Sequence, residues 1–310
     1  MSLVGHTFYF SWEVTLMEWL QARIGAAGIS VLSAFSMFGE ELILILVLGF
    51  LYWSYRKELG KTVGLSVLMG LVWGPMLKNI ALRRRPYFDH DGIRILRVVE
   101  PGADIYDISA QGYSFPSGHS TNAATLYGSL AAAGRKRWLT VSAVVLPLLV
   151  GVSRVTVGAH YPTDVLAGWG LGAVIVLVIP ALQNRLQHPA SLYGILLLTA
   201  LPGLFYCKSS DYFTAFGLML GFVCGSLLEE RYVRFENTRD PLRMALRPVG
   251  GLVIYLVLNT VLKLPFSGEF LAGGSYASLL VRCARYAVIA FVDFGIYPMA
   301  FRRQVSDAAK

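Results

Sequence analysis

The chain has 310 residues, of which 55% are hydrophobic and only 15% are charged, and its mean hydropathy is +0.56. Because the apolar residues form long runs rather than amphipathic stripes, the composition excludes an ordinary soluble domain and indicates a polytopic membrane protein. The net charge of +8 does not indicate a nucleic-acid partner, since Lys and Arg cluster in short loops between apolar runs, as charges that orient membrane helices do. We therefore predict an all-α bundle of membrane helices.

The first 38 residues are predicted to form an amino-terminal segment that lies in the interface or is partly embedded. Residues 7–23 mix aromatic side chains with spaced acids and one Arg, which is typical of a helix in the membrane interface. Residues 24–38 are apolar but short, so they could form half of a span. A cleaved signal peptide is not expected, because Glu13, Glu18 and Arg23 interrupt the apolar stretch that it requires.

About nine membrane-crossing helices are predicted after this segment. The apolar runs lie near 42–55, 62–82, 118–134, 138–157, 163–183, 190–206, 211–229, 248–264 and 275–300. Several runs are shorter than the roughly 20 residues of a perpendicular span, so some helices must be tilted or have ragged ends. We assign residues 39–189 to a membrane core and residues 190–310 to additional carboxy-terminal helices.

The basic breaks between the runs predict the orientation of the chain. They lie at 56–61, 135–137, 184–188, 229–247 and 302–303, on alternate sides, and the positive-inside rule makes them cytoplasmic. The amino terminus and the loops 83–117, 158–162 and 265–274 then face outward or into a lumen. The loop 83–117 carries five Arg against five acids, so its Arg residues need a role other than topology.

Lys78 and the pair Arg85-Pro86 form the first of three polar clusters at the predicted outward helix ends. A spacing of seven places both cations near one helical face, and Pro86 biases Arg85 out of the helix, so both can approach one anion. The neighbouring Arg83 and Arg84 could widen a phosphate pocket or bind lipid headgroups, the alternative being a charged membrane rim.

The second cluster, Pro116-Ser117-Gly118-His119, opens the next run. A Gly in the first helical turn lets backbone N–H groups approach an anion closely, and a helix amino terminus favours phosphate. The Ser117 hydroxyl adds a donor, and His119 could protonate a leaving oxygen. The alternative is an ordinary helix cap followed by an exposed His.

The third cluster is Ser153-Arg154, with His160 six residues after the Arg and Asp164 four residues after the His. Arg154 offers a planar fork of donors to phosphate oxygens. Asp164 can hydrogen-bond one ring nitrogen of His160, which leaves the other nitrogen free as a nucleophile. The alternative is an interfacial Arg, a loop His and a helix-starting Asp. Because all three clusters fall on one predicted face, we interpret them as one phosphoryl-transfer site.

Together these three clusters resemble the tripartite signature of the type 2 phosphatidic acid phosphatase superfamily, with every signature residue present and in order over residues 78–164. The count of nine spans resembles the glucose-6-phosphatase and sphingosine phosphate phosphatase branch of that superfamily. So does W-L-Q, followed by F-S-M-F-G-E-E and L-Y-W, before the first cluster. Arg84 stands where that branch often has Pro.

The resemblance implies a role for each signature residue and a six-helix phosphatase core. His160 would be the nucleophile that forms a phosphohistidine, Asp164 its orienting partner and His119 the acid for the leaving group. The phosphate would be held by Lys78, Arg85, Ser117, the Gly118 backbone and Arg154. The superfamily works without a metal, so we expect no cofactor, and we interpret Asp89-His90-Asp91 as solvated loop residues rather than metal ligands.

We expect an integral membrane phosphatase for a lipid phosphate monoester of the sphingoid base phosphate or phosphatidic acid type. A polyprenyl (undecaprenyl) diphosphate phosphatase is the alternative within enzymes, and a transporter or scaffold that retains the fold is the alternative outside them. The expected partners are the lipid phosphate substrate and membrane lipids, with no nucleic acid, while the oligomeric state stays open. The plasma membrane is favoured, with the site facing outside or into a lumen.

Overall fold

The computed structural model describes residues 5–186 and 188–301, and within them every regular element is helical. The α-helices are α1 (Ser11–Arg23), α2 (Ala26–Ala34), α3 (Glu41–Gly49), α4 (Lys57–Ala81), α5 (Pro86–Asp89), α6 (Ile108–Gln111), α7 (Gly118–Gly134), α8 (Arg137–Thr156), α9 (Pro162–Arg185), α10 (Pro189–Ala200), α11 (Gly203–Tyr206), α12 (Ser210–Leu228), α13 (Pro241–Val261), α14 (Gly268–Ala272) and α15 (Tyr276–Phe291). The 3₁₀ segments Phe35–Gly39 and Tyr297–Phe301 and the π-helical segments Phe50–Tyr55, Glu229–Val233 and Val292–Ile296 adjoin them.

Helices occupy all nine predicted span positions in the described part of the chain, and the polytopic all-α fold is confirmed. Six are long and apolar enough to cross a membrane, namely α4, α8, α9, α13 and the segments Pro189–Tyr206 and Ser210–Val233. The segment Glu41–Tyr55 is apolar but shorter, and α7 and α15 have only 17 and 16 residues. A crossing by these last three stays a prediction. Residues 302–303, one of the basic breaks, lie outside the described residues.

The amino-terminal segment is sharply bent. Helix α1 meets the helical stretch Ala27–Gly39, which combines most of α2 with the following 3₁₀ segment, at an angle of 119°. Residues 11–39 therefore do not form one straight span. The chain before α1 runs beside the end of α4, where His6 donates to the Leu82 carbonyl at 2.8 Å and Arg84 donates to the His6 carbonyl at 3.0 Å. The interfacial position of this segment stays a prediction.

Helix α7 is central to the bundle and contacts α4, α8 and α9. The largest apolar core is formed mainly by side chains of α4, α9, α10, α12 and α15. Helix α12 packs closely on α15 because small residues face that contact: a Cβ on Gly217 would lie 2.3 Å from the Cys283 carbonyl oxygen, and one on Gly221 would lie 2.1 Å from that of Ala287.

The start of α9 is fixed against the start of α7. The Ser117 N–H donates to the Asp164 carbonyl at 2.9 Å, and a Cβ on Gly168 would lie 2.7 Å from the Ser117 carbonyl oxygen. This close approach brings the second and third signature clusters to the same end of the bundle, where α4 also ends.

Candidate active site

Lys78 and Arg85 reach the site from different backbone segments. Helix α4 ends at Ala81 because Leu82 adopts a left-handed conformation with φ 49°, and its N–H donates to the Lys78 carbonyl. Arg85 therefore lies beyond the helix, in extended backbone before Pro86. The prediction of a shared helical face is wrong for this reason, whereas the predicted effect of Pro86 on Arg85 agrees with the structure.

Both cations are held by backbone carbonyl oxygens. The Lys78 ammonium donates to the Tyr113 carbonyl at 2.8 Å. The Arg85 side chain is only 3% exposed, and its Nη1 donates to the Ala159 carbonyl at 2.9 Å and lies 3.5 Å from His160 Nε2. The first cluster is thus in direct contact with the third.

Ser117, Gly118 and His119 form the cap and first turn of α7. Ser117 is the N-cap residue, and its hydroxyl accepts hydrogen bonds from the Ser120 N–H at 3.5 Å and the Ser120 hydroxyl at 3.0 Å. A Cβ on Gly118 would meet open space, so there is room for an anion beside the first turn of α7. His119 is half-buried and lines the cavity described below.

Arg154 is 2% exposed, near the end of α8. Its Nη1 donates to the Ser36 hydroxyl at 3.3 Å, and Ser36 also hydrogen-bonds Ser153 at 2.7 Å. Its Nε has no hydrogen-bond partner in the described part of the chain. Because a buried guanidinium donor without a partner is costly, this side chain is suited to an anionic ligand.

His160 is oriented by a backbone carbonyl. Its Nδ1 lies 2.8 Å from the Ser114 carbonyl oxygen, and because a carbonyl only accepts, Nδ1 carries the proton and Nε2 the lone pair. Asp164 Oδ2 lies 3.5 Å from Nδ1 and accepts the Tyr161 N–H at 2.8 Å. Asp164 therefore lies beside the ring, but Ser114 is the nearer partner of Nδ1, since Tyr161 and Arg83 already occupy the carboxylate. The orienting role of Asp164 stays a prediction.

The surrounding charges keep His160 neutral. Burial lowers the pKa of its imidazole well below the usual value of 6.5, and Arg85, Lys78 and Arg154 lower it further. His119 acts in the same direction. A neutral imidazole whose unprotonated Nε2 faces Arg85 at 3.5 Å can attack an anionic phosphorus centre once the phosphate takes over that guanidinium contact.

A cavity of about 510 Å³ opens over His119 and Arg154. Its wall is formed by Glu40, by Pro101 and by residues 95–99 of the loop between α5 and α6. This wall is mostly apolar, but Arg97 forms an ion pair with Glu40 at its rim. The cavity therefore has a cationic base and an apolar side.

Comparison with known proteins gives two family matches. The model described as "PAP2 superfamily" matches residues 59–187, and the model described as "PAP2 superfamily phosphatase, transmembrane extension" matches residues 213–307. Together they cover more than half of the chain. The chain belongs to the PAP2 superfamily. PAP2 is the abbreviation for type 2 phosphatidic acid phosphatase, so the predicted superfamily is confirmed. The resemblance to its glucose-6-phosphatase and sphingosine phosphate phosphatase branch stays a prediction.

Curated PAP2 relatives carry several different names. An undecaprenyl-diphosphatase of Sulfolobus acidocaldarius is 28% identical over 56% of this chain and 80% of its own length. Phosphatidylglycerophosphatase B of Bacillus subtilis is 33% identical over 26% of this chain and 44% of its own length. A lipid A 1-phosphatase of Rhizobium etli is 41% identical over 42% of this chain and 53% of its own length. The chain thus spans about half the length of the last two relatives.

Two residues outside the three PAP2 clusters hold Asp164 in place. Arg83 is 1% exposed and donates from Nη1 to Asp164 Oδ1 at 2.6 Å. From Nη2 it donates to Glu13 Oε2 at 3.0 Å, and Glu13 is fully buried. The three roles expected for Arg83, in the phosphate pocket, at a lipid headgroup or on a charged rim, disagree with this arrangement, because its donors are directed to Asp164, Glu13 and the Phe8 carbonyl. The sequence analysis did not identify Glu13 as a site residue. The feature that could have indicated it is an acid within a segment rich in apolar and aromatic residues.

Proposed function

We propose that this PAP2 protein hydrolyses the phosphate monoester of a membrane lipid through a phosphohistidine on His160. The observation that carries the proposal is the orientation of His160, with Nδ1 bonded to the Ser114 carbonyl at 2.8 Å and Nε2 near Arg85 at 3.5 Å. This arrangement supports attack from Nε2 while the neighbouring cations hold the phosphate. Metal independence is part of the proposal, because the cations can supply the charge stabilisation that a metal would give.

The reaction takes two steps with balanced protons. Nε2 of neutral His160 attacks phosphorus in line, and His119, protonated once the bound phosphate offsets the neighbouring cations, gives its proton to the departing alkoxide oxygen. Asp164 stabilises the positive charge that develops on the phosphorylated ring. His119, now neutral, takes a proton from water, which cleaves the N–P bond and releases phosphate. The phosphate oxygens are held by Lys78, Arg85, Ser117, the Gly118 backbone and Arg154.

The cavity supports a lipid substrate. Its base is formed by His119 and Arg154, and its apolar wall by the loop residues 95–99, so a phosphate can lie at the base while the adjoining chain follows the wall. We propose a sphingoid base phosphate or phosphatidic acid. A polyprenyl diphosphate is the second candidate, favoured by the relative named undecaprenyl-diphosphatase, of whose length this chain covers 80%.

The position of the site in the membrane belongs to the same proposal. The alternation of basic breaks supports an extracytoplasmic site in the plasma membrane, reached by a lipid moving laterally in the outer leaflet. We likewise propose the division of the chain into an amino-terminal segment over 1–38, a catalytic core over 39–189 and additional carboxy-terminal helices over 190–310.

The direct test is phosphate release by the detergent-purified protein in EDTA. The panel contains phosphatidic acid, sphingosine phosphate, polyprenyl diphosphate and glucose 6-phosphate, with His160→Ala as the control. Activity in EDTA that is lost in the variant supports the mechanism, and the preferred substrate identifies the ester. Equal inactivity of both folded proteins on every substrate would overturn the proposal and favour a transporter or scaffold.

A further inference from the structure

The PAP2 signature accounts for Asp164 but not for the groups that fix its carboxylate. Asp164 is fully buried. Its Oδ1 accepts from Arg83 Nη1 at 2.6 Å, and its Oδ2 accepts from the Tyr161 N–H at 2.8 Å and lies 3.5 Å from His160 Nδ1. Arg83 is therefore the strongest charged contact of the carboxylate that faces the catalytic ring.

Arg83 is held in one orientation by contacts on every side. Its Nε donates to the Phe8 carbonyl at 2.8 Å, and its Nη1 also donates to the Thr163 hydroxyl at 2.7 Å. The guanidinium lies 4.6 Å from the Phe8 ring centroid and 4.0 Å from that of Tyr161, so two cation–π contacts also restrain it. A guanidinium fixed in this way positions its carboxylate partner rather than binding substrate.

Glu13 connects this cluster to the amino-terminal helix α1. Besides its ion pair with Arg83, its Oε1 accepts from the Thr163 N–H at 3.0 Å and from the Thr163 hydroxyl at 2.6 Å. Thr163 lies in the first turn of α9, next to Asp164. Met17 of α1 also belongs to one apolar cluster with Tyr161 and Val165. The helix α1 is therefore joined to the start of α9 by both polar and apolar side chains.

The charges of this cluster match the needs of the reaction. Two buried carboxylates, Glu13 and Asp164, share one guanidinium, so one negative charge is in excess. When neutral His160 attacks phosphorus through Nε2, its ring becomes cationic, because Nδ1 keeps its proton. The excess negative charge next to Nδ1 stabilises that cation in a site from which water is largely excluded.

We infer that Glu13 and Arg83 are positioning residues of the active site and that α1 is part of the catalytic unit. Arg83 holds Asp164, and Glu13 holds both Arg83 and the first turn of α9. This inference rests on the proposed function, since it assigns both residues to the orientation of His160. The active site formed by the three signature clusters is then incomplete without the amino-terminal segment.

The test compares Arg83→Gln, Arg83→Lys and Glu13→Gln with Arg84→Gln in the full-length protein. Arg84→Gln is the matched control, because Arg84 pairs with Asp89 and donates to Thr7, so its loss loosens the same segment without a change at Asp164. The measurements are kcat and KM on dioleoyl phosphatidic acid and p-nitrophenyl phosphate, the affinity for orthovanadate, and the midpoint of thermal unfolding.

Arg83→Gln and Glu13→Gln are expected to lower kcat by roughly 10- to 100-fold while KM changes by less than about threefold, since neither residue touches substrate. Arg83→Lys is expected to recover part of the lost kcat, because an ammonium keeps the charge but not the fork. Both Gln variants are expected to bind orthovanadate more weakly than wild type, because vanadate mimics the phosphoryl group that His160 Nε2 attacks in the proposed reaction. The control is expected to retain wild-type values.

Unchanged kcat and vanadate affinity in folded Arg83→Gln would overturn the inference. An equal loss of kcat and vanadate affinity in Arg84→Gln would also overturn it, because the cluster would then only anchor the amino-terminal segment. Vanadate keeps this test separate from the proposed function. If wild type hydrolyses neither ester, but vanadate affinity falls in Arg83→Gln and not in Arg84→Gln, the positioning role stands and only the hydrolytic function fails.

Discussion

The substitution Gly39→Ala tests how closely His119 is positioned. Gly39 ends the 3₁₀ segment before α3 and packs on the first turn of α7, where a Cβ would lie 2.6 Å from the His119 carbonyl oxygen. An ordinary contact needs at least 3.4 Å, so one of the two backbones must move by roughly 0.8 Å. Gly39 is also tied to this helix by Asn122, which donates to its carbonyl at 3.1 Å.

A displacement of this size moves the proposed acid away from the leaving oxygen. A misplacement of about 1 Å can cost roughly 100-fold in rate, so we expect kcat on phosphatidic acid to fall by about 10- to 100-fold, a barrier increase of about 1.4 to 2.7 kcal/mol. The loss is expected to be less than about fivefold on p-nitrophenyl phosphate, because its leaving group needs little protonation.

The assay is steady-state phosphate release from both substrates, with Gly170→Ala as the matched control. A Cβ on Gly170 meets no atom within 4 Å, so the control is expected to keep wild-type kcat. Wild-type kcat on phosphatidic acid in folded Gly39→Ala would refute the reasoning. An equal loss on both substrates would show that the displaced group is not the leaving-group acid.

Three further predictions concern the charges of the site. The lowered pKa of His160 keeps the ring neutral as the pH falls through 6.5, so kcat/KM, corrected for the ionisation of the substrate phosphate, should begin to fall on the acid side only below that pH; a corrected acid-side loss of half at pH 6.5 would contradict this sign. Asp164→Asn is expected to lower kcat by about 100- to 10,000-fold with little change in KM, and a large rise in KM alone would contradict its orienting role. Arg97→Ala is expected to raise KM for lipid phosphates several-fold with kcat nearly unchanged, because Arg97 lines the cavity beside Glu40; the exposed Arg94→Ala is the control, and equal KM values for the two variants would exclude a substrate contact.

The signature residues were predictable from the sequence because their chemistry depends on residue type and local spacing. Lys78, His119 and His160 come from different helix ends, yet each cluster carries recognisable phosphate chemistry within a few residues. The long apolar runs likewise predicted helices at all nine positions. The prediction of the clusters depends on spacing that is local in the chain. The prediction of the helices depends on the preference of apolar residues for lipid over water, which can be read from the composition of each run.

The supporting contacts were not predictable for two physical reasons. Glu13 reaches Arg83 across 70 residues and Thr163 across 150, and no periodicity relates such distant positions. The partner of the His160 ring is the Ser114 backbone carbonyl, a group that every residue possesses and that no motif can therefore mark. Leu82 ends α4 in a left-handed conformation before Arg85. The sequence does not indicate this end, because a bulky side chain rarely adopts that conformation.

Four of the five Arg residues of the loop 83–117 show what the sequence could predict and what it could not. The sequence indicated that they serve a purpose other than topology, but only the structure distinguishes them. Arg85 enters the phosphate site, Arg83 pairs with Asp164 and Arg84 pairs with Asp89. Arg97 pairs with Glu40 at the rim of the cavity. Charge type alone could not separate these roles, because they depend on burial and on partners from other segments.

The most direct test of the account is to trap the covalent intermediate. Wild-type protein is mixed briefly with ³²P-labelled phosphatidic acid or polyprenyl diphosphate, quenched in alkali, which preserves an N–P bond, and digested for mass spectrometry. We expect one acid-labile phosphoryl group on the peptide that contains His160, and none in His160→Ala. Continued turnover by wild type without label on that peptide, or equal turnover by His160→Ala, would contradict the phosphohistidine mechanism.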